Sequence, residues 1–153
     1  MRATYHRTQG VEYFLGFYDV HADCLAGLFA KRKRVVELRA AFRLLRSCYP
    51  RTHLYVILDN LPNVHDHPRF LRLLKDLRIT PINTPTNASW LNLIEPQFRV
   101  IKHFTLTDTD DPDHTCRRRR ILRYLRYRNR VAGSASHPLA NLGSIRDIKL
   151  DHH

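Results

Sequence analysis

Apolar and polar residues follow two different periods along the chain. Val11-Glu-Tyr-Phe-Leu-Gly-Phe-Tyr-Asp19 is rich in aromatic residues, and Cys24-Leu-Ala-Gly-Leu-Phe-Ala30 is apolar throughout. The polar bridge Val20-His-Ala-Asp23 between them predicts the turn of a β-hairpin. From Lys33 to Cys48 the period changes. Val35, Leu38, Ala41, Phe42 and Leu45 recur at helical spacing, and Pro50 ends the pattern. His53-Leu-Tyr-Val-Ile-Leu58 is short and almost wholly apolar, which predicts a strand buried on both faces, as in a parallel sheet. Asp59-Asn-Leu-Pro-Asn63 is turn chemistry.

The pattern continues with a helix over 68–77, Pro68 being well placed in its first turn. A short strand follows over 78–83, then a polar loop over 84–89. A helix over 91–103 carries Ile94, Phe98 and Ile101 on one face. The acidic stretch 108–113 leads into a last helix, with Asp111 suited to cap it and Pro112 to open it. The tail from Ala132 holds Gly, Ser, His and Pro, then a weak strand-like segment, Ile145-Arg-Asp-Ile-Lys-Leu150. No repeat and no linker interrupts this order. The succession β-β-α-β-α-β-α-α implies an α/β fold, a mixed sheet with helices on its faces.

Composition narrows the class. A chain of 153 residues suits one domain, and 43% apolar residues exclude disorder of the whole. Cys24, Cys48 and Cys116 are odd in number and far apart, which argues against a disulfide scaffold and a thiolate zinc site. Met1–Gly10 has no apolar run of the signal-peptide kind, and no run reaches the ~18 apolar residues of a membrane span. A reduced cytoplasm and no membrane partner are the expectations.

The net charge of +12 points to a polyanion, most simply nucleic acid. The Arg excess, 21 Arg to 5 Lys, is also what a GC-rich genome produces. The distribution says more: residues 31–60 sum to +6 and residues 114–130 to +8, whereas residues 1–30 sum to −1. Lys31, Arg32, Lys33 and Arg34 open the first block, and Arg117, Arg118, Arg119 and Arg120 the second. Both blocks coincide with expected helices, from which Arg can grip phosphate bidentately. Four adjacent Arg point around most of a helical turn, so some face water only.

Two carboxylates are candidates for chemistry. Asp59 ends the most buried-looking strand, where open α/β sheets bind ligands. Glu95 lies in the first turn of a later helix, and one helix, one strand and a loop fit between the two. Converging carboxylates repel unless a cation lies between them, and hard oxygen ligands suit Mg²⁺ or Mn²⁺. The plainer alternative makes Asp59 a turn residue and Glu95 half of a reciprocal cap with Asn92.

The surrounding residues favour the first reading. Leu54-Tyr-Val-Ile-Leu-Asp-Asn60 with His65, then Thr84-Pro-Thr-Asn-Ala-Ser-Trp-Leu-Asn-Leu-Ile-Glu95 with Gln97 and Phe98, resembles the catalytic core of bacterial insertion-sequence transposases of the mariner superfamily. The resemblance runs from about Gly10 to Asn129 and includes Phe17-Tyr-Asp-Val20 and Tyr124-Leu-Arg-Tyr-Arg-Asn129. It implies an RNase H-like fold and Asp-Asp-Glu chemistry on double-stranded DNA with Mg²⁺ or Mn²⁺. Asp59 then matches the second acid of the triad and Glu95 the third, both as metal ligands. Asn60, His65, Ser89, Trp90 and Asn92 match the supporting loops.

Three departures stand out. No acid of Met1–Gly10 matches the first of the triad; Asp19 is the nearest candidate, but it corresponds to the hairpin's end. The first central strand, expected between the hairpin and the Asp59 strand, has no counterpart, which leaves an uncovered strand edge. Pro96 directly follows Glu95, tolerable only if the helix starts late. The expectation is a core over residues 1–130 without its first strand and a divergent tail over 131–153. Such a fragment is inactive alone and partners with itself or with a missing N-terminal half. The competing readings are a non-catalytic basic nucleic-acid-binding protein and a poorly folded chain without function.

Overall fold

The structure is a computed structural model that describes residues 4–7, 10–58, 66–82, 93–101 and 114–144. Three strands form one antiparallel sheet in the order β1 (Thr4–Arg7), β2 (Gly10–Asp19), β3 (Cys24–Ala30). A second sheet pairs β4 (Leu54–Ile57) in parallel with β5 (Ile79–Ile82). The helices are α1 (Val35–Cys48), α2 (Pro68–Asp76), α3 (Ile94–Ile101) and α4 (His114–Ala132), and a 3₁₀ segment runs over Pro138–Ser144. This is the mixed α/β architecture of an RNase H-like fold.

The hairpin forms where its pattern places it. Asp19 pairs with Cys24 and Tyr13 with Ala30, in unbroken register. Every residue of β3 is buried, because it carries apolar side chains toward both faces. Cys24, Ala26, Leu28 and Ala30 pack toward Leu38, Ala41, Phe42 and Leu45 of α1, with Phe70, Leu73 and Leu74 of α2 behind. Leu25 and Phe29 pack on the opposite side with Phe14, against Phe98 and Ile101 of α3 and Ile121 and Leu125 of α4. The three-strand sheet is thus the middle of three layers.

Two glycines make the second layer possible. Gly16 and Gly27 are directly opposed on β2 and β3. A Cβ on Gly16 would stand 2.6 Å from the Phe98 ring, and one on Gly27 2.3 Å from the Phe14 ring. Their bare backbone lets Phe14 and Phe98 meet edge to face, with centroids 6.1 Å apart.

Four features differ from the sequence reading. Strand β1 was not expected: Thr4-Tyr-His-Arg7 lacks an apolar stripe and forms by pairing Arg7 with Gly10 and Thr4 with Tyr13. Strand β4 is not buried on both faces. Tyr55 and Ile57 are 68% and 38% exposed, because only the opposite face of β4, with Leu54 and Val56, packs on the core. Residues 31–34 precede α1 rather than belong to it, Arg34 standing at its N-cap. The segment Pro138–Ser144 packs on β3 and α1 through Leu139 and Leu142, an i, i+3 pair in a stretch that reads as loop. The helix bearing Glu95 does start late, at Ile94, so Pro96 falls in its first turn without breaking a hydrogen bond. Asp111, Pro112 and the Ile145–Leu150 stretch lie outside the described residues.

Candidate active site

Strand β4 carries the chain toward Asp59, and Leu58 is the last described residue before it. Helix α3 places Glu95 in its first turn, with the side chain exposed. Leu58, Leu93 and Ile94 line one cavity of about 550 Å³. The residues immediately before Asp59 and immediately before Glu95 therefore line the same cavity, although 35 positions separate Leu58 from Leu93. Residues 15–20 of β2 and its turn, and Leu38, Phe42 and Leu45 of α1, line the same cavity. Asp59, Asn60, His65, Ser89, Trp90 and Asn92 lie outside the described residues.

Asp19 also lines this cavity, but its carboxylate is fully engaged in holding elements together. It accepts hydrogen bonds from the Ala22 N–H at 2.9 Å and the Tyr49 hydroxyl at 2.5 Å, and His137 Nε2 stands 3.7 Å away. Burial alone would raise its pKa, but these donors outweigh it and hold the carboxyl below the ordinary value. Tyr49 moves the other way, because burial and the neighbouring Asp19 charge both disfavour its phenolate. Asp19 thus ties the hairpin turn to the end of α1 and to the 3₁₀ segment.

Asp23 serves a second knot. It sits at φ +52° in the turn, and its carboxylate accepts from the Tyr18 hydroxyl at 2.7 Å and pairs with Arg128 of α4. These two hydrogen bonds lower its pKa, which a nearly exposed carboxylate would otherwise keep. Arg128 stacks over the Tyr18 ring at 5.3 Å and donates to the Asp23 carbonyl. Beside it, buried Asn129 accepts from the Leu25 N–H at 3.0 Å and donates to the Leu25 carbonyl at 2.9 Å. These structural roles of Tyr49, Arg128 and Asn129 carry no local sequence signal, since each acts on residues 30 to 105 positions away.

The basic candidates divide by exposure. Arg117 is buried against the interior, and Arg118 covers the Phe29 ring at 5.5 Å. Arg119 and Arg120 are exposed, and Arg123, Arg126 and Arg130 extend the open part of α4. Lys31 and Arg32 are exposed, Lys33 lies over the Tyr13 ring at 5.6 Å, and Arg34 pairs with Glu37 at 2.9 Å.

The sequence matches the family described as DDE superfamily endonuclease over residues 2–110. The chain belongs to this family. No curated protein matches it. DDE superfamily endonucleases act on DNA and generally use divalent metal, so the donor set decides the fit. Among the described residues no cluster of three His, Cys, Asp or Glu side chains could hold an ion. Glu95 is open to solvent, and the carboxylate chemistry of Glu95 and Asp59, hard oxygen donors both, fits Mg²⁺ or Mn²⁺ rather than a thiophilic metal. No helix among the described residues is long and apolar enough to cross a membrane.

Proposed function

We propose that this DDE superfamily member is the catalytic core of a DNA transposase of the mariner type, from a bacterial insertion sequence. Asp59 and Glu95 are two metal-ligating carboxylates, and the observation that carries the reading is the single cavity lined by Leu58, Leu93 and Ile94. A divalent ion bound there would activate a water or a 3′-hydroxyl toward a phosphodiester. By their match to the family's motifs, Asn60, His65, Ser89 and Asn92 are the supporting residues of this reading. The exposed guanidinium groups of Arg119 and Arg120, with Lys31 and Arg32, hold backbone phosphates. The core comprises residues 1–130, and residues 131–153 form a C-terminal extension whose 3₁₀ segment packs back on β3.

No acid of this sequence matches the first triad position, since Asp19 and Asp23 are committed to structural hydrogen bonds. The chain alone therefore binds DNA without cutting it. Fluorescence anisotropy with duplex DNA tests the first half, with affinity falling steeply as salt rises. Supercoiled plasmid in Mn²⁺ tests the second: no nicking is expected. Metal-dependent nicking abolished by Asp59→Ala would show that two acids suffice here. The open arginine face of α4 also suits a purely non-catalytic nucleic-acid-binding protein. That reading predicts DNA affinity indifferent to Mg²⁺ and to Asp59→Asn.

A further inference from the structure

Helix α3 is short, eight residues, and it carries Glu95 in its first turn. Its buried side chains are apolar: Phe98 and Ile101 pack with Phe14 of β2 and with Ile121 and Leu125 of α4. Apolar attraction is non-directional, so it fixes the turn of a short helix about its axis less sharply than a hydrogen bond does. That turn matters for Glu95. A side chain reaches about 5–6 Å from the helix axis, so a rotation of about 20° carries the carboxylate about 2 Å. A metal ligand tolerates an error of only about 0.2 Å in its distance to the ion.

Gln97 supplies the directional contact. Two positions beyond Glu95, it lies about 200° around the helix, on the inner side. It is half-buried, whereas Glu95 is exposed. Gln97 Oε1 accepts from Arg128 Nε at 3.2 Å. Arg128 is itself held along its other edges. Its Nη groups donate to the carbonyl and the carboxylate of Asp23 and to Asn129 Oδ1, and its plane covers the Tyr18 ring. The next residue, Asn129, fastens this part of α4 to Leu25 of β3. The Arg128 side chain is only 12% exposed, so water competes little for it. A guanidinium fixed in this way offers its Nε in one place, and α3 must turn to bring Gln97 there.

We propose that the Gln97–Arg128 hydrogen bond is a positioning device for the metal site: it sets the rotation of α3 and so aims Glu95 at the ion shared with Asp59. Gln97 and Arg128 act through Glu95 and do not touch the ion. This inference rests on the reading of Asp59 and Glu95 as metal ligands.

Mn²⁺ binding to the full chain, followed by electron paramagnetic resonance, tests it with three substitutions at Gln97. Gln97→Leu keeps most of the side-chain bulk and removes the acceptor. Its affinity for Mn²⁺ is expected to fall about tenfold, with the thermal midpoint unchanged. Gln97→Asp is expected to lose as much, because its carboxylate is one carbon too short to reach Arg128. Gln97→Glu carries the same charge as Gln97→Asp but keeps the reach, and it is expected to bind Mn²⁺ at least as tightly as the unsubstituted chain. Unchanged affinity in Gln97→Leu, equal affinity in the Asp and Glu variants, or a loss matched by a fall in thermal midpoint would overturn the proposal. Failure of the underlying reading shows differently: the unsubstituted chain would bind no Mn²⁺, or would bind it unchanged in Glu95→Gln, and the proposal would fall with it.

Discussion

Asn129→Ala is the substitution whose cost follows most directly from the geometry. The Asn129 side chain is 2% exposed and acts as a short piece of extra strand against β3, bonding both the N–H and the C=O of Leu25. Leu25 itself is fully buried, so neither backbone group has water to turn to. Orphaning a buried donor or acceptor costs about 1–3 kcal/mol. Two such groups, partly relieved by a water entering the space the amide vacates, amount to about 3 kcal/mol. For a chain of this size that corresponds to a fall of roughly 9 °C in Tm, at about 2–4 °C per kcal/mol. Urea unfolding followed by circular dichroism at 222 nm measures it. Asn129→Asp serves as the comparison, since it keeps the acceptor for Leu25 N–H and loses the donor to Leu25 C=O. A loss below about 0.5 kcal/mol for Asn129→Ala would refute the reasoning, because it would mean that Leu25 finds other partners at no cost.

Other outcomes follow from the same structure. Gly27→Ala should destabilise by about 1–3 kcal/mol, since its Cβ would stand 2.3 Å from the Phe14 ring and 2.8 Å from the Leu15 carbonyl oxygen; thermal melts measure the loss. Arg78 holds φ +57° just after α2, a conformation that costs a side-chain-bearing residue about 1 kcal/mol. Arg78→Gly should therefore raise the urea midpoint slightly or leave it unchanged, and a clear loss would contradict the strain. Asp19 and Asp23 both have lowered pKa values, so the folded chain binds fewer protons than the unfolded chain in acid. Their contribution is complete above the ordinary carboxylate pKa of about 4 and disappears as pH falls through the depressed folded values. Asp19→Asn should flatten the decline of stability below pH 4, measured by urea titrations at several pH values. The double substitution Arg119→Glu with Arg123→Glu, two exposed positions one turn apart on α4, should weaken duplex DNA binding and reduce its dependence on salt, with no change in Tm.

Much of the fold was legible in local pattern. The hairpin, α1, α2 and β5 form where periodicity and turn residues place them, because each buries its own apolar stripe. Strand β1 escaped because its four residues have no such stripe and depend on pairing with β2. The half-exposed state of β4 escaped for a related reason. Val-Ile-Leu predicts burial, but the face carrying Tyr55 and Ile57 has no core packed on it among the described residues, and which layers cover a strand is not encoded in the strand itself. The 3₁₀ segment was hidden by Gly, Ser and Pro around only two buried leucines. At the candidate site, the motifs around Asp59 and Glu95 were readable as a pair, and the structure brings their preceding residues to one cavity. The roles of Asp19 and Asp23 were not readable, since Tyr49, Arg128 and His137 reach them from distant elements.

The central claim is that Asp59 and Glu95 together hold a divalent cation. Titration of the full chain with Mn²⁺, followed by electron paramagnetic resonance, tests it most directly. The account predicts bound Mn²⁺ that Mg²⁺ displaces, with affinity reduced at least tenfold in both Asp59→Asn and Glu95→Gln and unchanged in Asp76→Asn, an exposed acid at the end of α2. Binding that survives unchanged in both of the first two variants would contradict it.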